Sequence, residues 1–106
     1  MAPMIDIINL AQKKAKQSYC RYKISAVGLD KNGKIIGSSM NKLRFHHKGG
    51  GVHAEIALIK KYGIRLKSMF ICRINKQGQL QNIHPCKSCS EVAKKLGIKI
   101  YSIKEI

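Results

Sequence analysis

Apolar residues return at helical spacing near the start of the chain. Met4, Ile7, Ile8, Ala11, Ala15 and Tyr19 form one stripe, with Gln12, Lys13, Lys16 and Gln17 off it. The pattern predicts an amphipathic helix over residues 4–19, with Pro3 where a first-turn proline is tolerated. The period then shortens. Residues 23–29 and 34–40 read as two strands joined by the turn Asp30-Lys31-Asn32-Gly33. Ile24, Ala26 and Gly28 alternate with Ser25, Val27 and Leu29, so both faces are fairly apolar and the hairpin is expected inside a covered sheet. Gly28 and Gly37 mark bulges or the close approach of another group. Residues 41–52 read as a basic, glycine-ending loop. Residues 53–62 read as a helix that is apolar nearly all round in its first half, hence buried, with Lys60 and Lys61 at its negative end and Gly63 as its stop. Residues 68–74 are a third strand, 75–78 a turn and 79–83 extended or looped chain. Residues 86–96 form a helix with Cys89, Val92, Ala93 and Leu96 on one face, and 98–103 a last strand. The order α-β-β-α-β-α-β predicts an α/β sheet with helices on both faces.

Length and composition narrow the partners. At 106 residues, a single domain over 1–106 is expected. No run of 18 apolar residues exists and no signal peptide is evident, so no membrane role is expected. The chain carries 21 Lys and Arg against 5 Asp and Glu, a formal charge of +16. The cations are spread along the whole chain, which predicts a globally positive domain suited to nucleotides or nucleic acid. A solvated basic surface without such a partner is the plainer alternative. The loop before residue 53 is where substrate preference is expected, with Phe45 as a stacking face.

Against so few acids, His53-Ala54-Glu55 stands out. It is followed, after residues 56–84, by Pro85-Cys86-Lys87-Ser88-Cys89. Cys86 and Cys89 are three apart, so at a helix start both sulfurs face one point, and the helix N-terminus favours the thiolate. His53, opening the other buried helix, supplies a third ligand. Three protein ligands with a position left open are the catalytic form of a zinc site, and four are the structural form. Glu55 is then placed to take a proton from an activated water. Taken singly, each piece has a duller reading. Cys86 and Cys89 could be a structural zinc knuckle or a redox pair, and Glu55 a first-turn acid complementing the helix dipole. His46 and His47 are read as solvated loop residues. A C-x-x-C beside a spaced histidine favours metal over disulfides and therefore a reducing compartment, the cytoplasm or, for a viral chain, the host-cell interior.

The joint pattern H-x-E…P-C-x-x-C resembles the cytidine deaminase-like superfamily of zinc-dependent nucleobase deaminases, almost end to end. The resemblance implies a three-layer α/β/α fold around a mixed sheet of four to five strands. It implies Zn2+ held by His53, Cys86 and Cys89, with Glu55 shuttling protons as an activated water attacks the amine-bearing carbon and ammonia leaves. It also implies substrate contacts from Asn41, after the second strand, and from backbone groups of Ala54, Pro85 and Cys86. A histidine ligand leans towards the deoxycytidylate and polynucleotide branches. His84 stands where many tRNA adenosine deaminases carry Glu, and the chain has no tryptophan. The expected activity is therefore deamination of cytosine in a nucleotide or single-stranded DNA or RNA. Adenosine deamination in RNA is the alternative enzymatic reading. A catalytically inactive, zinc-stabilised nucleic-acid-binding module is the non-enzymatic one, and it calls for a fourth protein ligand, with His84 and Cys72 nearest in kind. A free sheet edge makes a homo-oligomer plausible.

Overall fold

The computed structural model describes residues 2–43 and 51–105. Phe45, His46 and His47 lie outside the described residues.

Helix α1 (Met4–Lys16) buries Ile7, Ala11 and Ala15, the core of the expected stripe. It stops short of residue 19. The N–H groups of Gln17 and Ser18 turn to the carbonyls of Lys14 and Ala15, a tightened last turn. The Ser18 side chain then leaves the helix to bond elsewhere, as serine tends to do. Tyr19, placed on the stripe by its spacing, is 90% exposed.

Strand β1 (Lys23–Leu29) is central and largely buried, paired antiparallel with β2 (Ile35–Met40) on one side and with β5 (Ser68–Ile74) on the other. The hairpin is only half enclosed, because β2 is an edge strand whose residues are all half-buried. The far edge of β5 is shared. Its end, Arg73 and Ile74, pairs antiparallel with β6 (Leu80–Gln81), and its start, Ser68 to Ile71, pairs parallel with β7 (Lys99–Ser102). The sheet is thus mixed and five-stranded, the extended stretch after the second turn supplying the fifth strand. The chain from 98 to 103 divides into β7 and a 3-10 turn, Ile103–Glu105. Within the span read as a loop, β3 (Lys42–Leu43) and β4 (Gly51–Val52) form a short antiparallel ladder of their own.

Alternation along β5 divides the core. Phe70, Cys72 and Ile74 face α1, with Val27 and Leu29 of β1. Met69 and Ile71, with Ala26, face α2 (Ala54–Tyr62) and α3 (Lys87–Lys95), where Ala54, Leu58, Leu66 and Ala93 complete the second cluster. Full burial of side chains such as Leu58, Met69 and Ile71 contributes about 1.5–3 kcal/mol each. This is a three-layer α/β/α arrangement. Among the described residues no helix is long and apolar enough to cross a membrane.

Two glycines let α2 settle close to the sheet. Gly28 and Gly37 are cross-strand partners, at the point where the β1–β2 register shifts. A Cβ on Gly28 would stand 2.5 Å from Leu66 Cδ1, and one on Gly37 would overlap the Tyr62 hydroxyl and stand 2.5 Å from its Cζ. Gly37→Ala should therefore destabilise the fold by about 1–3 kcal/mol through overpacking. Urea midpoints should show it, and in a Tyr62→Ala background the same substitution should cost much less. Equal costs in the two backgrounds would mean that the ring is not what limits residue 37.

Candidate metal centre

Two helix starts meet on the second face of the sheet. His53 is the N-cap of α2, with φ −73° and ψ 142°, and its carbonyl accepts the Ala57 N–H. Cys86 is the N-cap of α3, and its Sγ accepts the Cys89 N–H at 3.3 Å. Both predicted helices begin one residue later than their sequence patterns imply, because the ligand-bearing residue is the cap itself. Sulfur at the Cys86 cap takes the place of the usual serine or aspartate oxygen.

The donors form a tight triangle. His53 Nδ1 lies 3.3 Å from Cys86 Sγ and 3.4 Å from Cys89 Sγ, and the sulfurs are 2.9 Å apart. One ion at bonding distances of about 2.0–2.3 Å can cap a triangle of that size. Charge agrees with geometry. Burial works against the Cys86 thiolate, but hydrogen bonds from the Cys89 thiol, the Ser88 hydroxyl and the Cys89 backbone N–H, with the nearby His53, bring its pKa from 9.0 down to about 7. Burial pushes Cys89 strongly up, and its hydrogen bond to Cys86 and the neighbouring Glu55 carboxylate push it further. One sulfur is ready to ionise and the other is held back until a cation arrives. That donor set fits zinc.

A fourth protein ligand is not at hand. No further His, Cys, Asp or Glu among the described residues joins the group. Cys72 is 1% exposed and sits in the cluster against α1, on the opposite face of the sheet. Burial, eased by the Ser25 hydroxyl, raises its pKa to about 11. Its position rules it out as a ligand, by the simple alternation of β5. His84 lines the adjoining cleft but is not among the grouped donors. All four cysteines are free thiols.

The triangle opens onto a cleft of about 510 Å³, within the usual range for small-molecule sites. Glu55, only 4% exposed, lines it from the first turn of α2, beside Cys89. Ala54 lines it as well, with its carbonyl held by the Ser39 hydroxyl at 2.5 Å. Pro85 is half-buried between two lining residues, His84 and Cys86, and is not itself part of the wall. Asn41 reaches the cleft with most of its amide committed. Its Oδ1 accepts the Ser18 hydroxyl at 2.6 Å and the Ile24 N–H at 3.0 Å, and its Nδ2 donates to the Tyr22 carbonyl at 2.7 Å. One N–H remains for a ligand.

Sequence reasoning missed the rest of this wall. Ser18, 2% exposed, is a polar hub: its hydroxyl bonds Asn41 and accepts the Cys20 N–H, and its carbonyl accepts Lys23 Nζ at 2.5 Å. The hub fixes the turn bearing Arg21 and Tyr22 against the end of β2. Arg73 lies opposite Ile24 in the β1–β5 ladder, on the face shared by Met69 and Ile71. The period-2 pattern of residues 69, 71 and 73 could have placed Arg73 on the site's face. Nothing local marked Ser18.

The description "Cytidine and deoxycytidylate deaminase zinc-binding region" belongs to a family model that matches residues 3–104. Solved structures of similar shape include a cytidine deaminase from Mycobacterium leprae, with TM-score 0.69 and 17% identity over 98% of this chain and 91% of that one. A dCMP deaminase from the cyanophage S-TIM5 has TM-score 0.70 and 24% identity over 96% and 84%. A cytidine deaminase from Burkholderia pseudomallei has TM-score 0.67 and 17% identity over 91% and 78%. At these identities the likeness is one of fold. No curated protein sequence matches the chain.

Purified chain should carry one zinc per molecule by atomic absorption, and His53→Ala, Cys86→Ser and Cys89→Ser should each lose most of it. Full occupancy in any of the three variants would contradict the assigned ligand set. The family match over nearly the whole chain, with the fitting donor triangle inside it, shows that this protein belongs to the cytidine and deoxycytidylate deaminase zinc-binding family.

Proposed function

We propose that the chain is a hydrolytic deaminase that converts cytosine to uracil on a phosphorylated carrier, a nucleotide or a single-stranded nucleic acid, with Glu55 as its proton carrier. The observation that carries this reading is the buried Glu55 carboxylate, set two residues beyond the His53 cap on the wall of the cleft that His53 and Cys86 also line. Burying a carboxylate is costly unless something nearby uses it. The four other acids are Asp6, Asp30, Glu91 and Glu105, and none of them lines this cleft.

A zinc ion held by His53, Cys86 and Cys89 supplies Lewis acidity and lowers the pKa of water. The chain's own residues do the rest. Glu55 takes one proton from the attacking water and places it on the ring nitrogen N3 of cytosine, while the water oxygen bonds to C4. It then moves the second water proton to the amine on C4. The C4–N bond breaks, ammonia leaves and the carbonyl of uracil remains. The starts of α2 and α3 carry the positive ends of their helix dipoles, which favour negative charge on a nearby oxygen. The remaining Asn41 N–H, on a residue that lines the cleft, is assigned to the sugar or the base.

The relatives of similar fold are a nucleoside deaminase and a nucleotide deaminase by name. The +16 charge favours the phosphorylated substrate. Ammonia release should be measured on cytidine, deoxycytidylate, single-stranded DNA, single-stranded RNA and adenosine-bearing RNA. Turnover of a cytosine substrate is expected, with kcat lowered about 10²–10⁴-fold in Glu55→Gln. Undiminished activity in that variant would remove Glu55 from the mechanism, and turnover of the adenosine RNA alone would overturn the choice of base.

A further inference from the structure

The proposed deamination leaves one part of the cleft without a role. Arg21, Tyr22 and Arg73 line the same cavity as His53 and Glu55. The Arg73 guanidinium carbon stands 4.3 Å from the centroid of the Tyr22 ring, and that of Arg21 stands 5.8 Å from the same centroid. Neither guanidinium has an acidic partner among the described residues. Two cations grouped around one ring repel each other, and an anion between or beside them relieves that repulsion. Deepening the deaminase reading, on which this rests, we propose that Arg21 and Arg73 bind a phosphate group of the cytosine-bearing substrate in the cleft they share with His53 and Glu55.

Three features make this a built arrangement. First, Arg73 is anchored at both sides of its strand. It pairs with Ile24 of β1 and with Gln81 of β6, so its Cα is held in the sheet while its side chain projects on the face of the cleft. Second, Tyr22, although 52% exposed, gives the Arg73 guanidinium a flat surface to lie against. A guanidinium held over a ring is restrained there without using up its N–H donors. Third, the turn carrying Arg21 and Tyr22 is tied down by Ser18 and Asn41. Asn41 Nδ2 donates to the carbonyl of Tyr22 itself, and Ser18 Oγ accepts the N–H of Cys20. The same asparagine that offers one N–H to a ligand therefore also fixes the turn that carries Arg21.

The chemical preference follows. A guanidinium fork matches a phosphate in geometry and charge, and a pair of forks favours a dianion over a neutral hydroxyl. A nucleoside with a free sugar hydroxyl would leave both arginines without their ligand. Selection is then by a phosphate ester next to the cytosine nucleoside, whether it is a terminal monophosphate or the internal phosphate of a single strand.

Equilibrium binding to the full zinc-loaded chain, by titration calorimetry at low salt and with every protein carrying Glu55→Gln so that the ligands are not consumed, tests the assignment without requiring turnover. The ligands are deoxycytidine, deoxycytidylate and a short single-stranded DNA bearing one cytosine. The variants are Arg21→Gln, Arg73→Gln, the double variant, Arg73→Lys, and Arg65→Gln. Arg65 lines a different cleft with Asp30 and Lys67 and controls for the loss of one charge. The protein with both arginines intact should bind deoxycytidylate ~100-fold more tightly than deoxycytidine. Each glutamine variant should lose ~10-fold of the affinity for phosphate, and the double variant should bind both ligands alike. Arg73→Lys should keep part of the preference, and Arg65→Gln all of it. Affinity for deoxycytidine should not move, and in turnover KM for deoxycytidylate should rise while kcat holds. If the loss appears with the oligonucleotide and not with deoxycytidylate, the bound phosphate is the internal one. A preference that survives the double variant, or that never existed with either phosphorylated ligand, overturns the proposal. So does an equal loss for deoxycytidine. Phosphate-selective binding without ammonia release would refute the deamination reading and leave the arginine assignment standing. Deamination with no phosphate preference would do the reverse.

Discussion

The structure depends on bringing two helix starts to one point. His53 Nδ1, Cys86 Sγ and Cys89 Sγ come from segments far apart in the chain, yet no two of these atoms are more than 3.4 Å apart. Neither cap could be placed alone. Helix α2 is fixed by Leu58 and Ile59 against Ala26 and Met69, and by the Tyr62 ring over Gly37. Helix α3 is fixed through Ala93, and the chain beyond it returns to the sheet as β7, parallel to β5. The parallel pairing matters because it requires a crossover, and α3 is part of that crossover. The metal ligands are therefore set by the packing of apolar faces on β5. A shift of one residue in that strand would exchange Cys72 with Ile71 and turn the wrong face towards the site.

The electrostatics of the cleft change along its wall. Near the donor triangle are two thiol groups and a carboxyl group, and burial, Cys86 and Glu55 hold Cys89 in its neutral form. Ionising all of them together is unfavourable without a cation and becomes favourable around a divalent one. The same cavity is lined by Arg21 and Arg73, both grouped around the Tyr22 ring. A ligand that combines a neutral base with an anionic tail would meet groups suited to each part. Asn41, whose amide already joins Ser18, Ile24 and Tyr22, stands in the wall with them.

The metal ligands were legible in the sequence because their spacing is local. Cys86 and Cys89 needed only one helical turn, and His53 and Glu55 only the start of a second. The layer order was legible for the same reason, from changes of period. What was not legible was long-range. Ser18, just past the end of α1, gives its hydroxyl to Asn41, 23 residues further on, and Tyr19 beside it is exposed. The strand at Leu80–Gln81 is two residues long, and it becomes a strand only because Arg73 and Ile74 are beside it. Cys72 looked like a spare ligand because its residue type suits zinc. Alternation along β5, which was visible in the sequence, already put it on the other face from Met69 and Ile71.

Net charge and local arrangement contribute differently to substrate choice. A surface of +16 raises the concentration of any polyanion near the molecule. It does so without direction, and at physiological salt it fades over about 8 Å. It therefore cannot say which end of a nucleotide enters the cleft. Two arginines at fixed positions can, because their action is at contact distance and depends on the orientation of their forks. The fixed positions come from the sheet register at Arg73 and from the Ser18–Asn41 hydrogen bonds at Arg21. On the proposed reading, the long-range charge would gather polyanions, and the polar hub at Ser18 and Asn41, by fixing the turn that carries Arg21, would give that charge an orientation.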